Sequence, residues 1–360
     1  MQLDQITFTR FIAALSVVFF HYGMDVFPAN IPYLHEVVTA GPIAVNYFYL
    51  LSGFIMAIAY YRPQQHEQSQ HNFNQWKYWL ARFARIYPVY LLALLLIVLA
   101  KYQTLSDDPL TLPLHLTMLQ AWIPSYPITL NTPGWSLSVE AFFYLCFPFL
   151  LFSIYKHGTH RLIIFGILLW LITQITVLGL HNSDNYIPKS LLHDFLFYNP
   201  LMHLNAFIVG FLTGVLFKNK PLKALKYNSL WLFTSILLII LLLMYRPSME
   251  NLLGIKIAYT NGLIAPAFLL FIVLLSQQTG SIASILSNKW LVLLGEASFS
   301  LYILQKPLHG IYDKLIASKI SLSNELHFYI FLILLIITSI FSYKFFETPM
   351  RKFINNRYRS

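Results

Sequence analysis

Charged residues are scarce in this sequence. Asp, Glu, Lys and Arg make up only 11% of its 360 residues, whereas soluble globular domains have about 25%. Hydrophobic residues make up 57%, so little polar surface is left to face water. The scarcity of charge excludes an ordinary soluble protein and indicates a chain that is solvated largely by lipid.

Cysteine is nearly absent as well. Cys146 is the single cysteine, so the chain cannot form an intramolecular disulfide, and its apolar neighbours favour a packed side chain. The sequence has no Cys/His cluster with metal spacing, no Walker loop and no dinucleotide-binding fingerprint. Long Pro-rich or Gly/Ser-rich linkers are missing too. We therefore expect one domain over residues 1–360, with no metal and no permanently bound cofactor.

Long apolar runs replace the missing charge. About 20 apolar residues span the hydrocarbon of a bilayer, and runs near that length recur along the chain. The first run has no small-residue cleavage site after it, so we expect a retained helix rather than a signal peptide. The runs predict an all-α, polytopic transmembrane helical bundle with about ten crossings, at residues 8–26, 42–60, 83–101, 137–156, 161–180, 200–217, 229–245, 257–276, 290–305 and 327–346.

The net charge of +10 follows the predicted topology. With the N-terminus inside, 17 of the 24 Lys and Arg residues fall on the cytoplasmic side and 7 on the other. The positive-inside rule then predicts that both termini are cytoplasmic, in a multi-pass protein of the inner or plasma membrane. Basic residues placed this way indicate contact with anionic lipids and argue against a nucleic-acid partner.

Arg10 and His21 are unusual residues for a membrane helix. Eleven residues separate them, which is about 16 Å along a helix axis and returns to within about 20° of the same face. Separately, Arg10 could be a snorkelling anchor and His21 could form an interhelical hydrogen bond. Because ionisable residues inside a membrane usually face a cavity, their shared face favours a functional site.

Arg82 and Arg85 lie three residues apart at the start of the third predicted crossing. Neighbours at this spacing on a helix can bind one phosphorylated ligand together. The pair could also be an ordinary basic flank of a membrane helix. Together with Arg10 on the same predicted side, the pair indicates a cytoplasmic site for a polyanion.

Glu140 lies near the start of the fourth predicted crossing, after Trp135. A carboxylate there could simply complement the helix dipole, and Ser136 could be the N-cap. Aromatic residues beside Glu140 could instead form a sugar platform at the outer surface, although aromatic belts are equally expected there.

Ser52 and Gly53 lie near the middle of the second predicted crossing. Small residues at such a position allow close helix packing, which is the favoured interpretation. A narrow channel for a thin ligand would need the same feature.

Seven segments in chain order together resemble motifs of the acyltransferase-3 family of integral membrane acyltransferases, over nearly the whole chain. Gln305 occupies a position where the family commonly has a histidine. The segments are Arg10-x10-His21, LLSGFIM at 50–56, RFARIYPVY at 82–90, WSLSVEAFFYLCFP at 135–148 with Ser138, Val139 and Glu140 in the Ser-Val-Glu positions, GFLTGVLF at 210–217, SFSLYILQKPL at 298–308 and FFETPMRKFI at 345–354.

The resemblance implies transfer of an acyl group, most often acetyl, from cytoplasmic acyl-CoA to a hydroxyl of a cell-envelope carbohydrate or glycolipid. Acetyl-CoA or another acyl-CoA would be a co-substrate. In that case Arg10, Arg82 and Arg85 would hold the CoA phosphates, and the thioester would be presented to His21. A neutral imidazole could act as the base or could accept the acyl group covalently.

The resemblance also suggests roles for four further residues. Glu140 would orient His21 or bind the sugar. Trp135, Ser138 and Ser52 would be substrate-binding residues.

Two other functions fit parts of the sequence. A transporter or flippase of a glycan or acylated precursor would also need many crossings and buried polar residues, but it does not explain three arginines and a histidine without an ion-binding carboxylate partner. A structural subunit of a polysaccharide-export complex is the third alternative, and its buried histidine would be dispensable.

Overall fold

A computed structural model describes residues 3–63, 73–100, 108–219 and 229–357. The described part is helical throughout and contains no strand. Its helices of 12 or more residues are numbered in chain order: α1 (Asp4–Tyr22), α2 (Ile43–Tyr60), α3 (Gln75–Ala100), α4 (Trp135–His157), α5 (Thr159–His181), α6 (Pro200–Asn219), α7 (Ser229–Met244), α8 (Ala265–Ser276), α9 (Lys289–Tyr312) and α10 (Asn324–Ser342).

Shorter elements connect these helices. Asn288 caps α9 by accepting from the Trp290 N–H at 2.9 Å, and Ser323 caps α10 by accepting from the Leu326 N–H at 3.3 Å, as short polar side chains do at helix starts. The short helices are Pro32–Thr39, Thr111–Leu116, Leu191–Tyr198, Arg246–Leu253, Ser281–Leu286 and Thr348–Arg357; three-residue 3₁₀ turns cover Gln120–Trp122, Thr132–Gly134 and Tyr259–Asn261, and π turns cover Asp313–Ala317 and Tyr343–Glu347.

The predicted multi-pass helical architecture is confirmed. A helix lies in each of the ten predicted crossings, although residue 101, the predicted end of the third, is outside the described residues. Length and apolar composition suffice for crossing in six described segments, or seven if Ser229–Met244 and Arg246–Leu253, bent by 56°, form one span. The six are Ile43–Tyr60, Gln75–Ala100, Thr132–His157, Thr159–His181, Leu191–Asn219 and Asn324–Arg357.

The helices outside this set explain the difference from ten. Among the described helices, α8 has only 12 residues, whereas α1 and α9 are long but too polar to meet the same test. The charged residues Arg10 of α1 and Glu296 of α9 line a cavity inside the bundle. The polar residues of α1 and α9 therefore face the interior of the bundle. The count of about ten crossings and the cytoplasmic location of both termini stay predictions.

Two helix pairs form the centre of the bundle through close backbone contacts. A Cβ added to Gly53 of α2 would lie 2.1 Å from the Phe207 carbonyl oxygen of α6, and one added to Gly210 would lie 2.1 Å from that of Leu50. A Cβ on Gly295 of α9 would likewise lie 2.1 Å from the Thr7 carbonyl oxygen of α1. Small residues permit this approach where lipid gives helices no hydrophobic reason to associate.

The ends of α2, α4 and α6 meet on one side of the bundle. The Lys218 ammonium donates to the carbonyl oxygens of Ile58 and Tyr61 at 3.0 and 2.5 Å, and the Arg62 N–H donates to the Tyr155 hydroxyl at 2.9 Å. A cation on the last carbonyls of a helix is favourable. The three helices therefore end on the same side of the bundle, and the assignment of that side to the cytoplasm stays a prediction.

Candidate active site

A cavity of about 200 Å³ lies between α1, α2, α3, α4 and α9. Its charged lining residues are Arg10, Arg82, Arg85, Glu140 and Glu296. Since few charged side chains are tolerated inside a membrane protein without a function, five around one cavity mark the strongest candidate site in the described part of the chain.

The helices bring the three predicted arginines together. Arg82 and Arg85 lie on adjacent turns of α3, and Arg10 reaches the same cavity from α1. The structure places Arg10 inside the bundle, because α1 packs against α9 at Gly295 and Arg10 lines the cavity. Its place on the cytoplasmic side stays a prediction.

Arg82 is held by aromatic side chains. Its guanidinium carbon lies 6.0, 5.8 and 5.9 Å from the ring centroids of Tyr60, Tyr78 and Tyr144, and its Nη2 donates to the Tyr60 hydroxyl at 3.4 Å. Cation–π contacts of this kind fix an arginine without neutralising it. Arg82 therefore keeps its positive charge but has little freedom to follow a ligand.

Arg10 and Arg85 have a different environment. Within residues 3–63, 73–100, 108–219 and 229–357, neither guanidinium has a hydrogen-bond partner or a carboxylate within 4.0 Å. They repel each other, and the charges of Glu140, Glu296 and Glu347 attract them from a greater distance. Five guanidinium donors on each of two side chains are thus available to a ligand that enters the cavity.

Glu140 lies among these arginines rather than at the outer surface. It accepts a hydrogen bond from the Tyr144 hydroxyl one helical turn further along α4. Of the aromatic residues that could form a sugar platform, Tyr144 contacts Glu140, whereas Trp135 packs on Tyr198 and His203, with ring centroids 5.0 and 5.4 Å apart. The prediction that Glu140 takes part in catalysis remains open.

Ser52 and Ser138 occupy different places. Ser52 lines the cavity, while its neighbour Gly53 faces α6. The close-packing interpretation therefore applies to Gly53, and the ligand-channel interpretation applies to Ser52. Ser138 is buried outside the cavity lining, and its hydroxyl donates to the Met118 carbonyl oxygen at 2.5 Å. Ser138 therefore fastens the connection before α4, and Trp135 is also absent from the cavity lining.

His21 lies beyond the cavity. The helix predicted over 8–26 ends at Tyr22, so His21 is half-buried in its last turn instead of deep within the helix. Lys306 lies near enough for its charge to act on His21, and its ammonium donates to the Thr132 hydroxyl at 2.5 Å. The neighbouring Tyr22 ring stacks on His309 with centroids 4.0 Å apart.

A hydrogen-bonded layer of Tyr49, Ser136 and Tyr302 forms part of the cavity wall. The Tyr302 and Ser136 hydroxyls are 2.8 Å apart, and Tyr302 also donates to the Pro133 carbonyl oxygen at 3.3 Å. The Tyr49 hydroxyl donates to the Ser136 carbonyl oxygen at 3.3 Å. Tyr49, Ser136 and Tyr302 all line the cavity, whereas His21 does not.

A comparison with known protein families identifies the family of this helical bundle. The family model described as an acyltransferase domain, that of the acyltransferase-3 family, matches residues 3–344. The chain belongs to the acyltransferase-3 family. The predicted family and the predicted enzyme class, an acyltransferase, are therefore confirmed.

Individual relatives of this acyltransferase-3 chain carry matching names. Acyltransferase MdmB from Streptomyces mycarofaciens is 33% identical over 160 residues, which is 41% of this chain and 39% of that protein. "Putative O-acetyltransferase SACOL0978" from Staphylococcus aureus (strain COL) is 23% identical over 373 aligned positions, which cover 95% of this chain and 56% of that protein. The chain thus spans about two fifths to just over half of these relatives. No solved structure matches it.

The acyltransferase-3 motifs divide into packing and cavity residues. Gly53, Gly210 and Gly214 hold α2 against α6. Gln305 is buried outside the cavity, and its amide donates to the Tyr302 carbonyl oxygen at 2.7 Å.

Glu296 and Glu347 were not among the residues predicted from the sequence to form the site. Glu347 is 4% exposed and accepts from the Ser300 hydroxyl at 3.1 Å. It lies in the π turn after α10, yet its charge acts on both Arg10 and Arg85. In the sequence, only the acidic residue of FFETPMRKFI pointed to Glu347, because Arg10 and Arg85 lie hundreds of residues away along the chain. Among the described residues, no group of three His, Cys, Asp or Glu is arranged to hold a metal ion.

Proposed function

We propose that this protein transfers an acetyl group from cytoplasmic acyl-CoA to a hydroxyl of a cell-envelope carbohydrate or glycolipid, in the inner or plasma membrane. The observation that carries the proposal is the pair Arg10 and Arg85, whose guanidinium groups face one cavity without a hydrogen-bonded partner in the described residues. Arginine is well suited to bind phosphate because its planar fork matches two oxygens at once.

Coenzyme A has the chemistry that such a cavity requires. Its phosphates would replace the distant carboxylates as partners of Arg10 and Arg85, with Arg82 adding a fixed positive charge. Its thin pantetheine arm would lie along the wall that contains Ser52. The O-acetyltransferase names of relatives from Staphylococcus aureus support acetyl as the group transferred.

His21 would act at the far end of α1 in one of two ways. As a base it would take the proton of the acceptor hydroxyl, whose oxygen attacks the thioester carbonyl and releases the CoA thiol. As a nucleophile it would itself displace the CoA thiol, carry the acyl group and pass it to the acceptor hydroxyl. In either case Tyr49, Ser136 and Tyr302, which line the cavity, would line part of the path of the thioester. Glu140, Trp135 and Ser138 remain candidates for contact with the substrates, directly or through the helices they hold.

The decisive experiment compares cell-envelope glycans from cells with and without the protein by mass spectrometry. We expect O-acetyl groups on one glycan or glycolipid to disappear when the protein is removed. In parallel, the purified protein should bind acetyl-CoA. Unchanged glycan acylation together with no acyl-CoA binding would contradict the proposal and favour the transporter alternative.

A further inference from the structure

A second cavity opens on the lipid-facing side of α4, α5 and α6. It has a volume of about 450 Å³. Its walls are apolar and include Phe149 and Leu150 of α4, Leu162 and Phe165 of α5, and Ile208 of α6. Phe149 and Phe165 are 63% and 49% exposed, and only 22% of the apolar window of α5 is buried. In a bilayer this groove therefore opens toward the acyl chains of lipids.

One end of this groove is basic. His157 is the last residue of α4 and Arg161 is the third residue of α5, and both are exposed residues of the lining. None of the residues that line the groove is acidic. Arg161 therefore contributes a permanent positive charge that no lining carboxylate offsets, at the end of the bundle predicted to be cytoplasmic.

We propose that this groove binds an anionic phospholipid, with one acyl chain along the apolar wall and the headgroup phosphate on Arg161. An acyl chain matches the shape and polarity of the wall. A guanidinium forms charge-assisted hydrogen bonds to a phosphate, and basic pockets between transmembrane helices on the cytoplasmic side suit anionic headgroups. A zwitterionic lipid would bring a second, cationic group to the same basic end.

The groove is independent of the arginine cavity, because the two share no lining residue. The inference therefore does not rest on the proposed function. Cys146 also lines the groove and is the single cysteine of the chain. Its thiol is a native probe of occupancy that needs no engineered residue.

The test uses the full-length protein in a neutral detergent. Native mass spectrometry would compare phosphatidylglycerol and phosphatidylcholine with identical acyl chains. We expect preferential retention of phosphatidylglycerol, and a loss of affinity on the order of fivefold in Arg161→Gln, the effect of one basic residue at a lipid surface. Lys352→Gln is the matched control, since it removes an exposed basic residue outside the groove.

Alkylation of Cys146 by a maleimide gives the second measurement. Phosphatidylglycerol should slow the reaction in the unmodified protein and in Lys352→Gln, and much less in Arg161→Gln. Equal retention of the two lipids, or equal losses in Arg161→Gln and Lys352→Gln, would overturn the proposal. Equal protection of Cys146 by phosphatidylcholine and phosphatidylglycerol would also overturn the proposal, because the groove would then bind lipids without selecting for the charge of the headgroup.

Discussion

The two ends of α1 offer different chemistry to a ligand. Toward its first turns, Arg10 joins Arg82 and Arg85 in a cavity enclosed by five helices. In its last turn, His21 provides an imidazole that lies close enough to Lys306 to feel its charge. About 16 Å of helix separates the two residues, and the layer of Tyr302 and Ser136 lies at the boundary of the cavity.

Under the proposed function, this difference would separate donor binding from chemistry. Guanidinium groups hold anions strongly but exchange no protons near neutral pH, whereas an imidazole exchanges protons readily but binds anions weakly. An enzyme that uses a charged donor and an uncharged hydroxyl acceptor benefits from keeping these groups apart. The proposed function predicts that substitutions at the two ends affect different measured quantities, and the predictions below test this from the largest effect to the smallest.

His21→Gln should have the largest effect and should act only on turnover. Glutamine keeps hydrogen-bonding capacity but has no titratable imidazole. We expect acyl transfer to fall by about 10²–10⁴-fold, the usual contribution of a general acid or base, with acetyl-CoA affinity near that of the unmodified protein. The measurements are transfer to purified acceptor and equilibrium binding of acetyl-CoA.

A structural role for His21 predicts a different result. Loss of one interhelical hydrogen bond costs about 0.6–2 kcal/mol, which would lower stability and reduce activity only in part. Near-normal turnover by folded His21→Gln would remove this residue from the chemistry.

Arg85→Ala should weaken binding rather than turnover. Loss of a charged hydrogen bond costs about 1.5–3 kcal/mol, which is about 10–150-fold in affinity for acetyl-CoA. Arg82→Ala should have the smaller effect, because three tyrosines hold its guanidinium. Lys77→Ala, at the exposed start of α3, is the control. An equal or larger loss of acetyl-CoA affinity in Arg82→Ala would contradict the expectation that Arg85 contributes more than Arg82 to binding.

Gly53→Ala should disturb the arginine cavity, because it disrupts the close packing of α2 on α6. The added Cβ would meet the Phe207 carbonyl oxygen at 2.1 Å, so α2 must move away from α6 and carry Ser52 with it. Overpacking of this kind costs about 1–3 kcal/mol and should lower both the melting temperature and acetyl-CoA affinity. Gly179→Ala is a matched control, because nothing lies within 4 Å of its added Cβ. Similar melting temperatures for the two variants would contradict the close-packing interpretation.

His115 should make the connection before α4 sensitive to acid. Burial lowers the pKa of His115 to about 4. The unfolded chain takes up this proton near pH 6.5, so stability is fully present above that pH and is lost as the pH falls toward 4. The expected loss is about 2 kcal/mol at pH 5 relative to pH 7.5.

Thermal melting of the purified protein at the two pH values measures this loss. His115→Gln should show a shallower dependence on pH, since glutamine does not titrate. The carbonyl oxygen of His115 accepts from the Tyr90 hydroxyl at 2.7 Å, and the Gln120 amide donates to the Gly134 carbonyl oxygen just before α4 at 2.9 Å. An unchanged pH dependence in His115→Gln would assign the acid sensitivity to other groups.

Prediction from sequence succeeded where the signal was local. Arg82 and Arg85 are three residues apart on one helix, and this spacing correctly predicted that they share a site, since both line one cavity; a ligand common to both stays a prediction. Gly53 was favoured as a packing residue for the same reason, and it contacts α6. Prediction was incomplete where partners are distant in the chain: Glu347 could not be joined to Arg10, and Glu140 was expected at the outer surface although it lies in the arginine cavity.

Hydrophobicity and motif order by themselves determined the helical membrane class and the family, because both follow from residues that are close together along the chain. They also placed Arg10 and His21 on one helix. Only the tertiary structure decided that Arg10 opens into a cavity shared with Arg85 and that His21 does not line it. The physical reason is that α1 ends at Tyr22 and packs closely on α9 at Gly295. The environment of each polar side chain is thus set by neighbouring helices, which the periodicity of a single helix does not specify.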